Sequence, residues 1–162
     1  MSGHFFQALD AVLRNIGTRP ALTSKAVPVA GRPPEGAAAR REWFAAFAAE
    51  RMMPLLDAAA EAAKRHGADA TSRLVEENGH LAAELVLVRG RLPAGARPPR
   101  LTIYATEEDR PLMVEYTGTF PRVGATGGFG GEIDYDAVYP SQIEEKILDF
   151  VALATGAGSP LR

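Results

Sequence analysis

Cysteine is absent from the sequence. Without thiols, the chain has no disulfide bond, no thiolate metal ligand and no cysteine nucleophile. Disulfide bonds belong mainly to oxidising compartments, so their absence fits the cytoplasm, where we expect this protein to act.

Long apolar runs are also missing. No stretch approaches the roughly 20 apolar residues that a membrane-spanning helix needs, so we expect no membrane partner. Residues 1–6 lack the basic and continuous apolar regions of a secretory signal. Residues 1–34 are amphipathic and contain one acidic side chain, Asp10, so a transit peptide is the targeting alternative for this segment.

An excess of charge of one sign is absent as well. The formal net charge is −2, and proteins that bind nucleic acids usually carry a strongly basic face, so we expect no nucleic-acid partner. The balance is nevertheless uneven along the chain. Residues 1–40 carry five basic and two acidic side chains, whereas residues 41–162 carry 13 and 18. A basic N-terminal segment therefore precedes an acidic body, on which it could lie in the same or another copy.

Motifs of catalysis and cofactor binding are missing too. His4, His66 and His80 lie in different predicted elements and form no HxxxH or HExxH pattern. No serine stands in a GxSxG elbow. The glycine-rich stretch 124–131 lacks the lysine and the following helix of a phosphate-binding loop. We therefore predict no catalytic residue, no bound metal and no cofactor, and binding is favoured over catalysis.

The most informative segment that is present is the N-terminus. Residues 4–16 predict a short amphipathic helix with a wide apolar stripe. Four prolines then make residues 18–36 a linker. A short apolar helix on a long tether is typical of a helix that docks in a groove. Its predicted partner-binding anchors are Phe5, Phe6, Leu9 and Leu13. The groove could belong to another protein or to a sister subunit, or the helix could pack on its own sheet.

The body of the chain combines helices and strands. Residues 37–66 predict an alanine-rich helix that Pro54 should kink or split, with Gly67 as its stop. Asn78-Gly79 is the strongest short signal for a β-hairpin. Predicted strands occupy residues 71–77, 80–91, 101–106 and 111–119. The last helix carries one apolar stripe, formed by Ile143, Ile147, Phe150, Val151 and Ala154.

A block of strands with helices before and after it indicates an α+β fold. We predict a four- to five-stranded antiparallel meander sheet, with the long helix and the C-terminal helix packed on one face. Three regions follow from the chain: residues 1–17 as a tethered amphipathic helix, 18–36 as a proline-rich linker, and 37–158 as the α+β domain.

Two further features are candidate contact sites. The glycine-rich residues 124–131 predict a mobile loop with Phe129 exposed at its tip. A short strand over 132–138 would place Glu132, Asp134 and Asp136 on one face. These carboxylates could be a solvated edge that resists aggregation, a docking face for a basic partner, or ligands of a divalent cation.

The sequence thus favours a non-enzymatic protein-binding or assembly protein, similar in role to an adaptor or chaperone. Its N-terminal helix would dock on a protein partner or a sister subunit. The alternative is a small-molecule-binding or enzymatic domain, with a pocket between sheet and helices gated by residues 124–131. Distant groups that could meet in that pocket are His80, Glu115, Tyr116 and Tyr135. Frequent Ala, Arg, Gly and Pro suggest a bacterial genome rich in GC.

Overall fold

The structure is a computed structural model, and it describes residues 3–14, 36–77, 79–105, 112–121, 124–133 and 140–156. Four α-helices and five strands follow one another along these residues. They are α1 (Gly3–Leu13), α2 (Ala37–Phe47), α3 (Met53–Arg65), β1 (Asp69–Glu77), β2 (His80–Val88), β3 (Arg100–Tyr104), β4 (Leu112–Phe120), β5 (Gly124–Ile133) and α4 (Pro140–Thr155).

The five strands form one antiparallel sheet in the order β1-β2-β3-β4-β5. Each strand therefore pairs with its neighbour in the chain, which is the predicted meander. The β1–β2 pairing closes at Glu77 and His80, where Gly79 has a φ of 80°. Glycine adopts this left-handed conformation without steric cost, which is why the Asn-Gly signal predicted the hairpin correctly.

The long helix predicted over 37–66 is interrupted. A π-helical turn, Ala48–Met52, joins α2 to α3, and Pro54 stands at the start of α3. Proline lacks an N–H and clashes with the preceding turn of an α-helix, so the interruption falls where Pro54 predicted it. At the other end the Gly67 amide donates to Lys64 and the Ala68 amide to Ala63, which ends α3 in the manner of a Schellman motif.

The core lies between one face of the sheet and the helices, which confirms the α+β prediction. Alternate strand residues point into it and are fully buried, including Leu85, Leu101, Ile103 and Val114. The predicted apolar stripe of α4 is buried against them, with Phe150 close to Tyr116 and Phe120. Burial of each such side chain contributes roughly 1.5–3 kcal/mol.

Helix α1 also belongs to this core. It contacts α4 and α3, and five of its residues are buried: Phe5, Ala8, Leu9, Val12 and Leu13. One polar contact accompanies them, because His66 Nε2 lies 3.0 Å from Asp10 Oδ1 and joins the end of α3 to α1. An 11-residue helix is marginal alone in water, so this apolar contact is what stabilises α1.

Candidate functional site

The side of the sheet opposite the helices carries a polar surface, which we call the open face. Its centre is a row of directly paired residues that crosses β1 to β4: Arg73, Glu84, Thr102 and Glu115. Directly opposed residues of antiparallel strands share one face, with Cβ atoms roughly 4.5–5.5 Å apart. The strand register therefore brings these four side chains together, although 42 positions separate Arg73 from Glu115.

Glu84 is the most unusual residue of the open face, because it is charged and only 1% exposed. Arg73 Nε lies 3.0 Å from its Oε1, and Arg100 Nε lies 3.4 Å from its Oε2. A buried carboxylate is costly unless ion pairs and hydrogen bonds replace its hydration. Two guanidinium groups that share one carboxylate satisfy this need, and the carboxylate in turn fixes their orientation.

A second polar pair lies on the other side of Thr102. The Tyr104 hydroxyl donates a hydrogen bond of 2.9 Å to Glu115 Oε1. Burial, reinforced by this bond to a carboxylate, raises the pKa of Tyr104 to about 12. The phenol therefore stays protonated at neutral pH and remains the donor. The His80 ring stacks beside Tyr104, with ring centroids 5.7 Å apart.

These groups surround a small pocket on the open face. Its volume is about 170 Å³, and its lining residues are His80, Ala82, Arg100, Thr102, Tyr104, Glu115 and Thr117. Small-molecule and cofactor sites usually enclose about 300–1,000 Å³. The pocket thus has room for one side chain or a comparably small group, and its walls combine aromatic rings, hydroxyls and charges.

The predicted anchors of α1 lie mostly inside the chain's own core. Phe5, Leu9 and Leu13 are buried, whereas Phe6 is 41% exposed. The apolar stripe thus packs within the same chain, as in the alternative in which the helix packs back on its own sheet, but its contacts are with helices α3 and α4. A role of these residues in binding a partner stays a prediction.

Phe129 does not lie at the tip of a loop, and this correction applies to the whole glycine-rich segment. Residues 124–133 form strand β5, in which Phe129 pairs with Tyr116 of β4. Glycine has low β-propensity, so the sequence resembled a loop, but pairing along β4 supplies the backbone hydrogen bonds that hold the strand. Residues 124–131 therefore do not gate a pocket as a loop. The role of Phe129 in binding a partner remains untested.

The predicted acidic face is described only in part. Glu132 is exposed and pairs with Met113, so it lies on the open face, while its neighbour Ile133 is buried on the opposite side. This alternation agrees with the prediction for these two positions. Asp134 and Asp136 lie outside the described residues. Within the described ranges, no group of three or more acidic or histidine side chains is placed to hold a metal ion.

The pocket is on the opposite side of the sheet from the one that the sequence suggested. Two of the distant groups, His80 and Glu115, do meet in it. Tyr116 points to the helices, where its hydroxyl donates to the Lys146 carbonyl oxygen at 2.8 Å. Tyr135 lies outside the described residues.

Sequence reasoning missed Arg73, Glu84, Arg100 and Tyr104. A signal for one of them was present, since Glu84 is the single charged residue in the run Leu81–Val88. A lone charge in an otherwise apolar strand requires a partner when it is buried.

Comparison of the chain with protein-family models, with curated proteins and with solved structures gives no match. Among the described residues, none of the helices combines the length and the apolar character that crossing a bilayer requires. The site's own geometry is therefore the basis for a functional interpretation.

Proposed function

We propose that this chain is a non-enzymatic protein-binding module of the adaptor or chaperone type, and that a partner protein docks on the open face of its sheet. The observation that carries the proposal is the buried Glu84 with its two arginines. A sheet face that only contacts water gains nothing from a carboxylate that is buried at a cost in free energy. Groups held in fixed orientation at the centre of a surface are what specific recognition requires.

The size of the pocket favours a protein over a small molecule. About 170 Å³ is below the usual range for sites that enclose a metabolite. A partner protein would instead cover the surrounding sheet surface and insert one side chain into the pocket. Arg73, with a side chain that is 62% exposed, would then lie within the covered surface as a polar contact.

The experiment is a comparison of two tryptophan variants in the selection of a random-peptide display library on the full chain. Thr117→Trp adds bulk to the wall of the pocket, whereas Glu61→Trp adds similar bulk at an exposed position of α3. Peptides enriched on the unaltered chain should lose about tenfold or more of their affinity on Thr117→Trp and keep it on Glu61→Trp.

Two results would contradict this proposal. The first is a selection that yields no peptide preferring the unaltered chain over Thr117→Trp. The second is an equal loss of affinity in both variants, because the binding surface would then lie elsewhere. Circular dichroism of both variants controls for folding.

A second candidate, assembly through α1, is favoured by the contacts of that helix. Its buried residues face α3 and α4, so α1 of a sister copy would recreate the same contacts in an exchanged dimer. Light scattering of the full chain across a hundredfold range of concentration tests this. A mass that rises to that of a dimer supports exchange, and a monomer throughout contradicts it.

A further inference from the structure

We infer that the pocket of the open face binds a cationic side chain, an arginine or lysine of the partner protein. The inference rests on the proposed function, because it names the chemistry of the group that the docked partner inserts. It follows from the charges of the face, from the aromatic wall of the pocket and from its size.

The two carboxylates that flank Thr102 differ in their counter-charges. Glu84 has two guanidinium groups within ion-pair distance. Glu115, within the part of the chain that the structure describes, is hydrogen-bonded to the neutral hydroxyl of Tyr104 and forms no ion pair with a lysine or arginine. The carboxylate on the β4 side therefore contributes a negative charge that no described lysine or arginine holds in an ion pair.

Strand β5 adds to this negative side. Glu132 pairs with Met113, two residues from Glu115, so the two carboxylates are diagonal neighbours on the open face. The face also carries Asp69 of β1, which pairs with Val88 and alternates in step with Arg73. The described charged side chains of the open face include two cations, Arg73 and Arg100, and four carboxylates, Asp69, Glu84, Glu115 and Glu132. A cation that enters beside Glu115 reduces this excess of negative charge.

The wall of the pocket also favours the binding of a cation. The rings of Tyr104 and His80 are stacked and both line the pocket. A guanidinium or ammonium group within about 6 Å of an aromatic centroid is attracted to the ring face. The Tyr104 hydroxyl at the same time holds Glu115 in place, so the ring and the carboxylate are presented together. A volume of about 170 Å³ admits one long side chain.

An anionic guest is the competing possibility, because Arg100 also lines the pocket. Its guanidinium, however, already lies 3.4 Å from the buried Glu84 carboxylate. An anion in the pocket would also lie beside the Glu115 carboxylate, and repulsion between the two like charges costs free energy. The arrangement therefore favours a cation, and the experiment below includes an anionic probe.

The test is a titration of the full chain, labelled with ¹⁵N, followed by NMR. The probes are N-acetyl-arginine amide, the neutral isostere N-acetyl-citrulline amide and the anionic N-acetyl-glutamate amide. We expect the arginine probe to shift amides of β3 and β4 around the pocket and to bind about five- to tenfold more tightly than citrulline. Citrulline matches arginine in shape, so the ratio isolates the charge.

A pair of charge variants makes the test specific. Glu115→Gln keeps the shape and the acceptor for Tyr104 but removes the charge, and it should abolish the preference for arginine. Glu50→Gln removes the same charge at an exposed position on the π-helical turn and should leave the preference intact. Equal binding of citrulline, stronger binding of the glutamate probe, no binding, or an equal effect of both variants would overturn the inference.

The two proposals fail in distinguishable ways. If library peptides depend on the pocket but the probes show no preference for a cation, the open face binds a partner through other chemistry. If the arginine probe binds at the pocket and the library yields no peptide sensitive to Thr117→Trp, the cation site stands and the protein-docking proposal is wrong.

Discussion

The two faces of the sheet are made from the same five strands but differ in the character of their side chains. On the covered face, Leu101 and Ile103 are fully buried beneath the helices. On the open face, the alternate residues of the same strand are Arg100, Thr102 and Tyr104, which line a polar pocket. One set of positions supplies apolar burial for stability, and the other set places polar and charged side chains on the open face. The strand's two-residue period allows each set to vary without displacing the other.

The largest effect should come from removing the counter-charges of the open face. Arg73→Met together with Arg100→Met leaves Glu84 buried without a cation, and we expect a loss of about 3–5 kcal/mol in the free energy of unfolding. Urea denaturation measures it. Adding Glu84→Met to the double variant should recover most of the loss, because the buried charge is then gone. A triple variant no more stable than the double variant would show that Glu84 is not the cause.

The second comparison sets one residue of each face against the other. Leu101→Ala opens a cavity beneath the helices and should lower the free energy of unfolding by about 2–5 kcal/mol. Thr117→Ala, on the open face, should change it by no more than about 0.5 kcal/mol. Both values come from urea denaturation. Similar losses in the two variants would mean that the open face contributes to stability as much as the core does.

The third prediction concerns the bulge where β4 loses its regular alternation. The register shifts between Tyr116 and Gly118, and Gly118 has a φ of +112°. A Cβ at Gly118 would lie 2.4 Å from the carbonyl oxygen of Pro98. Backbone strain of this kind costs on the order of 1–3 kcal/mol. Thermal denaturation of Gly118→Ala should show the loss.

Gly95→Ala is the control for this prediction. Gly95 also has a positive φ, but nothing lies within 4 Å of a Cβ built there. It should therefore cost less than Gly118→Ala. If both variants lose the same stability, the contact with Pro98 has no part in the effect.

The smallest effect is the titration of Tyr104 on the open face. Tyr104 should titrate near pH 12 in an ultraviolet spectrum, above the usual tyrosine pKa of about 10. Because the pKa is raised in the folded chain, the stability linked to this group is complete below about pH 10 and is lost as the pH rises towards 12. Glu115→Gln should lower the pKa only in part, since burial is the larger cause. A full return to about 10 would contradict that order of causes.

The sequence predicted an element correctly where the residues that determine it are close together in the chain. The stripe of α4, the hairpin at Gly79 and the interruption at Pro54 each depend on residues within a turn or two of one another. The open-face pocket has no such signal, because Arg100, Glu115 and His80 meet only once three strands have paired in one register. The same is true of β5, where glycines favour a loop locally and pairing with β4 decides the outcome.

The packing of helix α1 also could not be predicted from the sequence. Its stripe predicted an amphipathic helix that needs a surface, and the helix is present as Gly3–Leu13. Periodicity does not identify that surface. The answer, α3 and α4 of the same chain, depends on a contact between helices that lie far apart in the sequence.

The order of the strands also has a consequence for the time course of folding. Every strand pairs with its neighbour in the chain, so the sheet can form by successive closure of short loops. Helix α1 meets α4 only across roughly 130 residues of chain, a much longer closure with a larger entropic cost. Contacts of short sequence separation generally form faster. The meander is therefore expected to form first, and docking of α1 on α4 should be the late step that completes the core.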